Sequence, residues 1–315
     1  MRVLRRTLLA LLLLPVLAGC SGGSAPANVG GSPPRSADAA PASFPVTVAG
    51  ITLAVRPVRI VSLSPTATET LFAIGAGEQV VAVDDQSNYP TTAPTTKLSG
   101  FEPNVEAIAA YEPDLVVVSF DPGGLIKSLR NLSIPTLVQP AAASLHDAYD
   151  QIAQLGLATG QRAQAQAIVA QMRSKIAAIV ASVPRPSKPL SVYHELDDTY
   201  YSATSRTFVG RVYQAFGLDN IADAAPAKAG DYPQLSSEYI VSANPNLIVL
   251  ADTKCCGQSA ATVSARPGWS NISAVRTGAV VQADDDIVSR WGPRVVDFYR
   301  LVARAVVVAE KAQAA

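Results

Sequence analysis

Histidine, cysteine and tryptophan are scarce in this chain, since its 315 residues include two histidines, three cysteines and two tryptophans. The dipeptide His194-Glu195 lacks the second histidine of a helical zinc motif, and His146 lies far from it in sequence. Beyond residue 45 there is no Gly-x-Ser-x-Gly elbow, phosphate-binding glycine loop or CxxC pair. We therefore predict a protein that is not an enzyme and has no catalytic residue, bound metal or cofactor.

An excess of one charge is also lacking, because 25 basic residues balance 25 acidic ones. No polybasic stripe is present, so we do not expect nucleic acid as a partner. The densest carboxylates, at 197–198 and 284–286, lack the alternate spacing of ligands in a calcium loop. Acids of this kind in loops are more often solvated turn residues than ligands.

The sequence has no apolar run long enough for a membrane span, since residues 8–17 supply about half of the ~20 residues required. Three arginines precede this run, and Leu17-Ala18-Gly19-Cys20 ends it. This pattern is typical of a bacterial lipoprotein signal over residues 1–20, with cleavage before Cys20 and lipidation of its thiol by diacylglycerol, in a lipoprotein that also carries palmitate. We expect a protein anchored by lipid to the extracytoplasmic face of the cell membrane. The alternative is an ordinary secretory signal followed by a coincidental cysteine.

The rest of the chain divides by composition and periodicity. Residues 21–45 are rich in Ser, Gly, Pro and Ala, which predicts a flexible tether. Short β-branched segments alternate with short helical patterns in 46–144 and in 185–315, which predicts two α/β lobes with parallel sheets. Between them, apolar residues recur at helical spacing over 145–184, and one extended helix is the simplest interpretation.

A spacing repeated in both lobes supports this division. Glu106 precedes Pro113 by seven residues and Glu238 precedes Pro245 by seven, and a buried strand follows each proline at once. The repeat predicts two similar lobes around a cleft. Ligands of open α/β sheets bind beyond the carboxyl ends of the strands, so we expect the binding site between these edges.

Aromatic side chains at the predicted strand ends are candidates for that site, because they suit a flat and partly apolar ligand. The candidates are Phe101, Tyr200, Tyr201, Tyr232, Trp269 and Trp291. Any one of them could instead cover the edge of the core.

Three segments of the sequence resemble the periplasmic binding proteins for vitamin B12 and iron siderophores. They are residues 59–75, 232–238 and 286–294, and the last two are most similar to the cobalamin-binding branch. The resemblance implies two Rossmann-like lobes joined by one long backbone helix, as in class III periplasmic binding proteins. It also implies a monomer that closes little on its ligand and delivers it to the permease and ATPase subunits of an ABC transporter.

The resemblance assigns a cobalamin pocket to Gln86, Phe101, Tyr232, Asp286 and Arg290. Gln86 stands where the family's B12 receptor has tyrosine, and Phe101 where it has tryptophan. A ferric siderophore or haem therefore remains an alternative ligand. Arg290 could donate to the ligand, or it could pair with Asp286 and brace the loop. An extracytoplasmic enzyme or sensor on the same fold is the alternative from a different functional class.

Two further pairs of residues have open interpretations. The resemblance assigns permease docking to Glu106 and Glu238, although an acid in the first turn of a helix is also stabilised by the helix dipole. Cys255 and Cys256 could close a strained vicinal disulfide outside the cell, or could be two partly buried thiols at a strand end. A metal site would need more ligands than this pair supplies.

Overall fold

The computed structural model describes residues 43–185 and 188–314. The predicted signal, Cys20 and nearly all of the predicted tether lie outside these residues. Within the part described, no helix combines the length and the apolar character needed to cross a membrane.

The N-terminal lobe is built on a parallel sheet of four strands with the spatial order β4-β3-β5-β6. Every residue of β3 and β5 is buried, as expected for central strands covered by helices on both faces. A short antiparallel hairpin, β1 and β2, precedes this sheet and was not predicted. The elements are β1 (Val46–Val48), β2 (Ile51–Leu53), β3 (Ile60–Leu63), α1 (Pro65–Ala73), β4 (Val80–Val83), α2 (Val105–Ala109), β5 (Leu115–Val118), α3 (Leu125–Asn131) and β6 (Thr136–Val138).

The connecting region contains two helices, α4 (Leu145–Thr159) and α5 (Arg162–Ala181). The prediction of one extended helix over this region was wrong, because Gly160 adopts a left-handed conformation with φ +75° and ends α4. The two helices then pack closely, since a Cβ added at Gly156 would lie 2.3 Å from the Cβ of Ala165. The long backbone helix of the predicted fold is therefore α5, which has 20 residues.

The C-terminal lobe has a second parallel sheet, with the order β10-β9-β7-β8. Its strands are short, and the helix that closes the chain packs against both this sheet and α5. The elements are β7 (Ser191–Glu195), α6 (Phe208–Ala215), β8 (Asp219–Asn220), α7 (Ser237–Ala243), β9 (Leu247–Leu250), α8 (Ala260–Ser264), α9 (Ser273–Arg276), β10 (Val280–Gln282), α10 (Asp285–Ser289) and α11 (Val295–Ala314).

The two four-stranded sheets share one topology, in which the first strand of each sheet along the chain lies between its second and its third. The residue after the repeated proline also has the same role in both lobes. Asp114 accepts a hydrogen bond from the backbone N–H of Arg59, just before β3, at 3.0 Å. Asn246 accepts one from the N–H of Ser191, at the start of β7, at 2.9 Å. The predicted fold class, two α/β lobes of similar build, is confirmed.

His194 lies in the core of the C-terminal lobe, where it is fully buried. Its Nδ1 lies 2.6 Å from the hydroxyl of Tyr213, and its ring is close to Phe298. Burial lowers the pKa of His194 to about 3, so the folded protein holds this imidazole neutral.

Protonation of His194 in the unfolded state should lower the free energy of unfolding in mild acid. An unfolded histidine binds a proton below a pKa of about 6.5, so the unfolded state gains stability as the pH falls from there towards 3. We expect this group to lower the free energy of unfolding by roughly 1.4 kcal/mol per pH unit in that window. Other groups, such as Asp252, add their own slopes, so the test is the difference between two variants. In urea denaturation from about pH 7 to pH 4.5, Tyr213→Phe should lose stability more steeply than His194→Phe/Tyr213→Phe by this amount. Equal slopes in the two variants would contradict the prediction.

Candidate ligand-binding cleft

A cleft of about 570 Å³ lies at the carboxyl ends of the N-terminal sheet. Its lining includes a residue just beyond each strand: Ser64 after β3, Asp84 after β4, Ser119 after β5 and Pro140 after β6. The opposite side is formed by part of the segment 286–291 of the C-terminal lobe. The cleft therefore has the position expected for a ligand site in an open α/β sheet.

Phe101 and Phe120 form an aromatic surface at the rim of this cleft. Their ring centroids are 5.9 Å apart, and 70% of Phe101 and 44% of Phe120 remain exposed. Sequence reasoning missed Phe120, although its place two residues after the buried strand β5 was a usable signal. Two exposed aromatic faces on one wall suit a flat ligand with apolar surface.

The loop that carries Phe101 approaches the sheet closely at Gly100. A Cβ at this position would lie 2.8 Å from Oδ2 of Asp84 and 3.0 Å from the carbonyl oxygen of Leu63, so a larger residue would displace the Asp84 carboxylate. Asp84 is itself buried, and this burial raises the pKa of its carboxyl. Gln86, which follows on the same loop, is exposed and lines the cleft.

Arg290 lines the cleft but uses four of its five N–H donors within the protein. Its Nη1 donates to Oε1 of Glu69 at 2.8 Å and to Oδ1 of Asn88 at 3.0 Å. Its Nη2 donates to the carbonyl oxygen of Gln86 at 3.0 Å and to Oδ1 of Asp286 at 2.6 Å. This geometry favours the bracing role among the two alternatives for Arg290, because Nε is the donor left over for a ligand.

Glu69, on α1, is the buried centre of a contact between the lobes. Its side chain is only 2% exposed, and it accepts hydrogen bonds from Arg290 and from Arg294, whose Nε donates to Oε2 at 2.8 Å. The Glu69 carboxylate also raises the pKa of Arg294. The guanidinium of Arg294 additionally stacks over Tyr89, at 4.1 Å from the ring centroid. One carboxylate of the N-terminal lobe thus holds two arginines of the C-terminal lobe.

Asp286 lies next to Arg290 in the cleft wall and is held by several donors. Its Oδ2 accepts hydrogen bonds from Lys254 Nζ at 2.8 Å and from Asn88 at 2.9 Å. Burial acts to raise the pKa of Asp286, but these hydrogen bonds and the charge of Arg290 lower it below its usual value. Asp286 is therefore an ionised part of the wall at neutral pH.

The other predicted aromatic residues are divided between surface and core. Tyr201 and Tyr232 are 41% and 52% exposed on neighbouring loops of the C-terminal lobe, and neither lines the cleft described above. Trp291 does line it, and its indole N–H donates to Oε1 of Gln151 on α4. Trp269 is fully buried beside Tyr200, so it covers the core rather than facing a ligand.

Glu106 and Glu238 occupy the same position in their two helices. Asn104 caps α2 and Ser236 caps α7, each through a side-chain oxygen that accepts from a backbone N–H, so both glutamates are second in their helix. Both are exposed, and neither forms an ion pair with a side chain in the described ranges. The matched placement that the repeated spacing predicts is confirmed, and both carboxylates are accessible to a partner.

At the carboxyl end of the C-terminal sheet, Arg266 forms a two-pronged ion pair with the buried Glu195, with both N–O distances 2.6 Å. Asp252 lies beside this pair and is fully buried, and neither of its carboxylate oxygens has a partner among the described residues. Burial and the charge of Glu195 raise the pKa of Asp252 to about 7.

Cys255 and Cys256 follow in the same loop as free thiols, the first exposed and the second half-buried. Across residues 43–185 and 188–314, no group of three or more His, Cys, Asp or Glu side chains is arranged to hold a metal ion.

The sequence matches the family described as periplasmic binding protein over residues 60–287. It is 35% identical over 279 residues to a "Cobalamin-binding protein" of Halobacterium salinarum, with 84% of this chain and 75% of that protein covered. It is 31% identical over 277 residues to the ABC transporter substrate-binding lipoprotein YvrC of Bacillus subtilis, with 84% and 86% covered. Among solved structures, the periplasmic heme-binding protein RhuT of Roseiflexus is similar with a TM-score of 0.70 and 26% identity, over 80% of this chain and 98% of that one.

The family match spans the strands that form both sheets, from the start of β3 through β10 and into α10, where the cleft residue Asp286 lies. The relatives cover most of the chain, and their names describe binding proteins and a transporter component. The two lobes of matching topology and the cleft between them agree with this assignment. This chain therefore belongs to the periplasmic binding protein family.

Proposed function

We propose that this protein is a lipid-anchored solute receptor that captures cobalamin or a related corrinoid outside the cell and delivers it to an ABC importer. The observation that carries the proposal is the cleft, with the exposed aromatic surface of Phe101 and Phe120 on one wall and the fixed polar residues Asp286 and Arg290 on the other. In this role the protein binds and releases its ligand, and no bond is made or broken.

The chemistry of a corrinoid matches that arrangement. Its ring is flat and partly apolar, and amide side chains surround it. Phe101 and Phe120 can cover the ring face with little loss of side-chain entropy. Asp286 can accept hydrogen bonds from amide N–H groups, and the Nε of Arg290 can donate to an amide oxygen or to the phosphate of the nucleotide loop.

Haem is the second candidate, because RhuT is named as a heme-binding protein. Proteins generally hold haem iron through an axial His, Cys, Met or Tyr side chain. None of these residue types occurs among the described residues that line the cleft. Haem binding would therefore require an axial ligand from outside this lining, whereas a cobalamin carries its own axial ligands. This difference favours the corrinoid.

Titration calorimetry with cobalamin, haem and a ferric siderophore tests the proposal. We expect cobalamin to bind, and we expect Phe101→Ala and Phe120→Ala each to weaken it by about tenfold, since an aromatic contact contributes about 0.5–1.5 kcal/mol beyond area burial. Leu132→Ala is the matched control, because Leu132 is exposed but lies outside the cleft. Tight binding of haem or of the siderophore without cobalamin binding would overturn the ligand assignment.

The importer part of the proposal rests on Glu106 and Glu238. Their matched positions, exposure and freedom from ion pairs with described side chains fit two contacts with basic residues of a permease. The proposed anchor is Cys20, which lies outside the described residues. A monomer is sufficient for this role, since each lobe supplies one glutamate.

A further inference from the structure

The loop after β9 contains Cys255 and Cys256 and also holds the start of α10. Three successive backbone N–H groups of this loop donate to the carboxylate of Asp285. Thr253 N–H reaches Oδ1 at 2.9 Å, while Lys254 N–H and Cys255 N–H reach Oδ2 at 2.9 and 3.1 Å. The hydroxyl of Thr253 adds a fourth bond, 2.8 Å from Oδ1. We call this set of hydrogen bonds the Asp285 clamp.

The Asp285 clamp fixes the wall of the candidate ligand cleft. The residue after Asp285 is Asp286, which lines the cleft and also accepts from Lys254 Nζ of the same loop. Arg290 follows directly at the end of α10 and joins Asp286 to Glu69 in the other lobe. A change in the backbone of the loop that contains Cys255 and Cys256 would therefore shift residues both of the cleft wall and of the contact between the lobes.

Closing a disulfide between adjacent cysteines requires such a change. The Cα atoms of neighbouring residues are about 3.8 Å apart across a trans peptide, which is shorter than the ~4.4–6.8 Å of ordinary disulfides. The backbone at 255–256 must therefore rotate. In the reduced protein Cys255 N–H is bonded to Asp285, and Cys256 N–H is bonded to the carbonyl oxygen of Asp252 at 3.2 Å. Rotation of this backbone segment would weaken both hydrogen bonds.

We propose that Cys255 and Cys256 are a reversible oxidation site whose disulfide loosens the Asp285 clamp and weakens retention of the ligand. The part that concerns the ligand rests on the function proposed above. The oxidant is a disulfide compound or protein of the extracytoplasmic space. One cysteine thiolate attacks it, breaks its S–S bond and releases one thiol. The second cysteine then attacks the mixed disulfide, releases a second thiol and closes the Cys255–Cys256 bond, and the two cysteine protons leave with the two released thiols.

The surroundings of the pair make this exchange slow and easily reversed. Partial burial, the neighbouring Cys256 thiol and the nearby carboxylates raise the pKa of Cys255 to about 12, so little thiolate is present at neutral pH. A strained disulfide is also reduced more readily than a relaxed one. The site therefore responds to a sustained oxidising environment and returns to dithiol when thiols are supplied.

The test compares the reduced full-length protein with the protein oxidised by glutathione disulfide. Mass spectrometry of the peptide containing 255–256 should show an internal disulfide, and hydrogen exchange of the amides at 285–290 should become faster. Cobalamin should bind about five- to thirtyfold more weakly, within the usual range of coupling between two sites, and dithiothreitol should restore both readouts. Saturation with cobalamin should in turn disfavour the disulfide by the same factor, because coupling is reciprocal.

The matched control is Cys255→Ser/Cys256→Ser, which should behave like the reduced protein and ignore the oxidant. Cys256→Ala is a second control in case the double variant folds poorly. An intermolecular disulfide, failure of the pair to oxidise, or an internal disulfide with unchanged exchange at 285–290 would overturn the inference. If exchange changes but neither form binds cobalamin, the proposed ligand fails while the coupling of the thiols to α10 is supported.

Discussion

Reversing both exposed glutamates, in the variant Glu106→Arg/Glu238→Arg, should abolish ligand uptake while ligand affinity stays nearly unchanged. Both carboxylates lie in the first turn of an exposed helix and contribute no side chain to the cleft, so the pocket should be intact. At the permease, however, two attractive contacts would become two repulsive ones. Charges at an interface act mainly on encounter rate and orientation, and juxtaposed like charges cost several kcal/mol.

Both substitutions are needed because one exposed ion pair contributes only about 0.2–1 kcal/mol. Uptake of labelled cobalamin by cells that carry the importer measures the effect, and calorimetry of the purified variant measures affinity. The matched control is Glu78→Arg/Asp219→Arg, which reverses one exposed acid in each lobe away from α2 and α7. If the double variant lost cobalamin binding, or if it still supported full uptake, the docking role would be wrong.

Removing the buried carboxylate in Glu69→Ala should lower the free energy of unfolding by about 3–5 kcal/mol, because it leaves the guanidinium of Arg294 without its carboxylate partner and takes one of two carboxylates from Arg290. Glu69 is the acceptor for both Arg290 and Arg294, so one substitution breaks the contact of α1 with the C-terminal lobe at two points. Arg290 then loses one of the four bonds that orient it in the cleft wall. We therefore expect weaker ligand binding together with the loss of stability.

Denaturant unfolding measures the first effect and calorimetry the second. Glu78→Ala is the matched control, since Glu78 is an exposed glutamate of the same lobe, and its effect should stay within about 0.5 kcal/mol. Glu69→Gln keeps the shape but loses the charge, and it should fall between the control and the alanine variant. A loss below about 1 kcal/mol in Glu69→Ala would show that the contact between the lobes contributes little net stability.

Local sequence signals determined much of the secondary structure of this protein. The strands at 80–83, 115–118, 136–138 and 247–250 have the bounds that their apolar β-branched runs predict. The caps at Asn104 and Ser236 follow from the short polar side chains just before each helix. These features depend on near neighbours in the chain, so the sequence is enough to find them.

Periodicity could not locate the break between α4 and α5. Apolar residues recur at helical spacing on both sides of Gly160, so the pattern alone is compatible with one helix. The left-handed conformation of Gly160 and the close approach of Gly156 to Ala165 decide in favour of two. Packing of one helix against another supplies that information, and it is not contained in the spacing of either helix.

The fold class and the repeated glutamates follow from local order in the sequence, namely the alternation of strands and helices and the spacing of Glu106 and Glu238. The resemblance to a known family supplied Gln86, Phe101, Asp286 and Arg290 of the cleft lining. Tertiary structure decided how those residues are used. Arg290 donates hydrogen bonds to Glu69, Asn88 and Gln86, which lie about 200 residues earlier in the chain. Tyr201 and Tyr232 stand outside the cleft, and Phe120 stands in it beside Phe101. The physical reason is that a hydrogen bond forms only between groups within about 3 Å of each other. Residues that are far apart in the chain reach this distance only after both lobes have packed together.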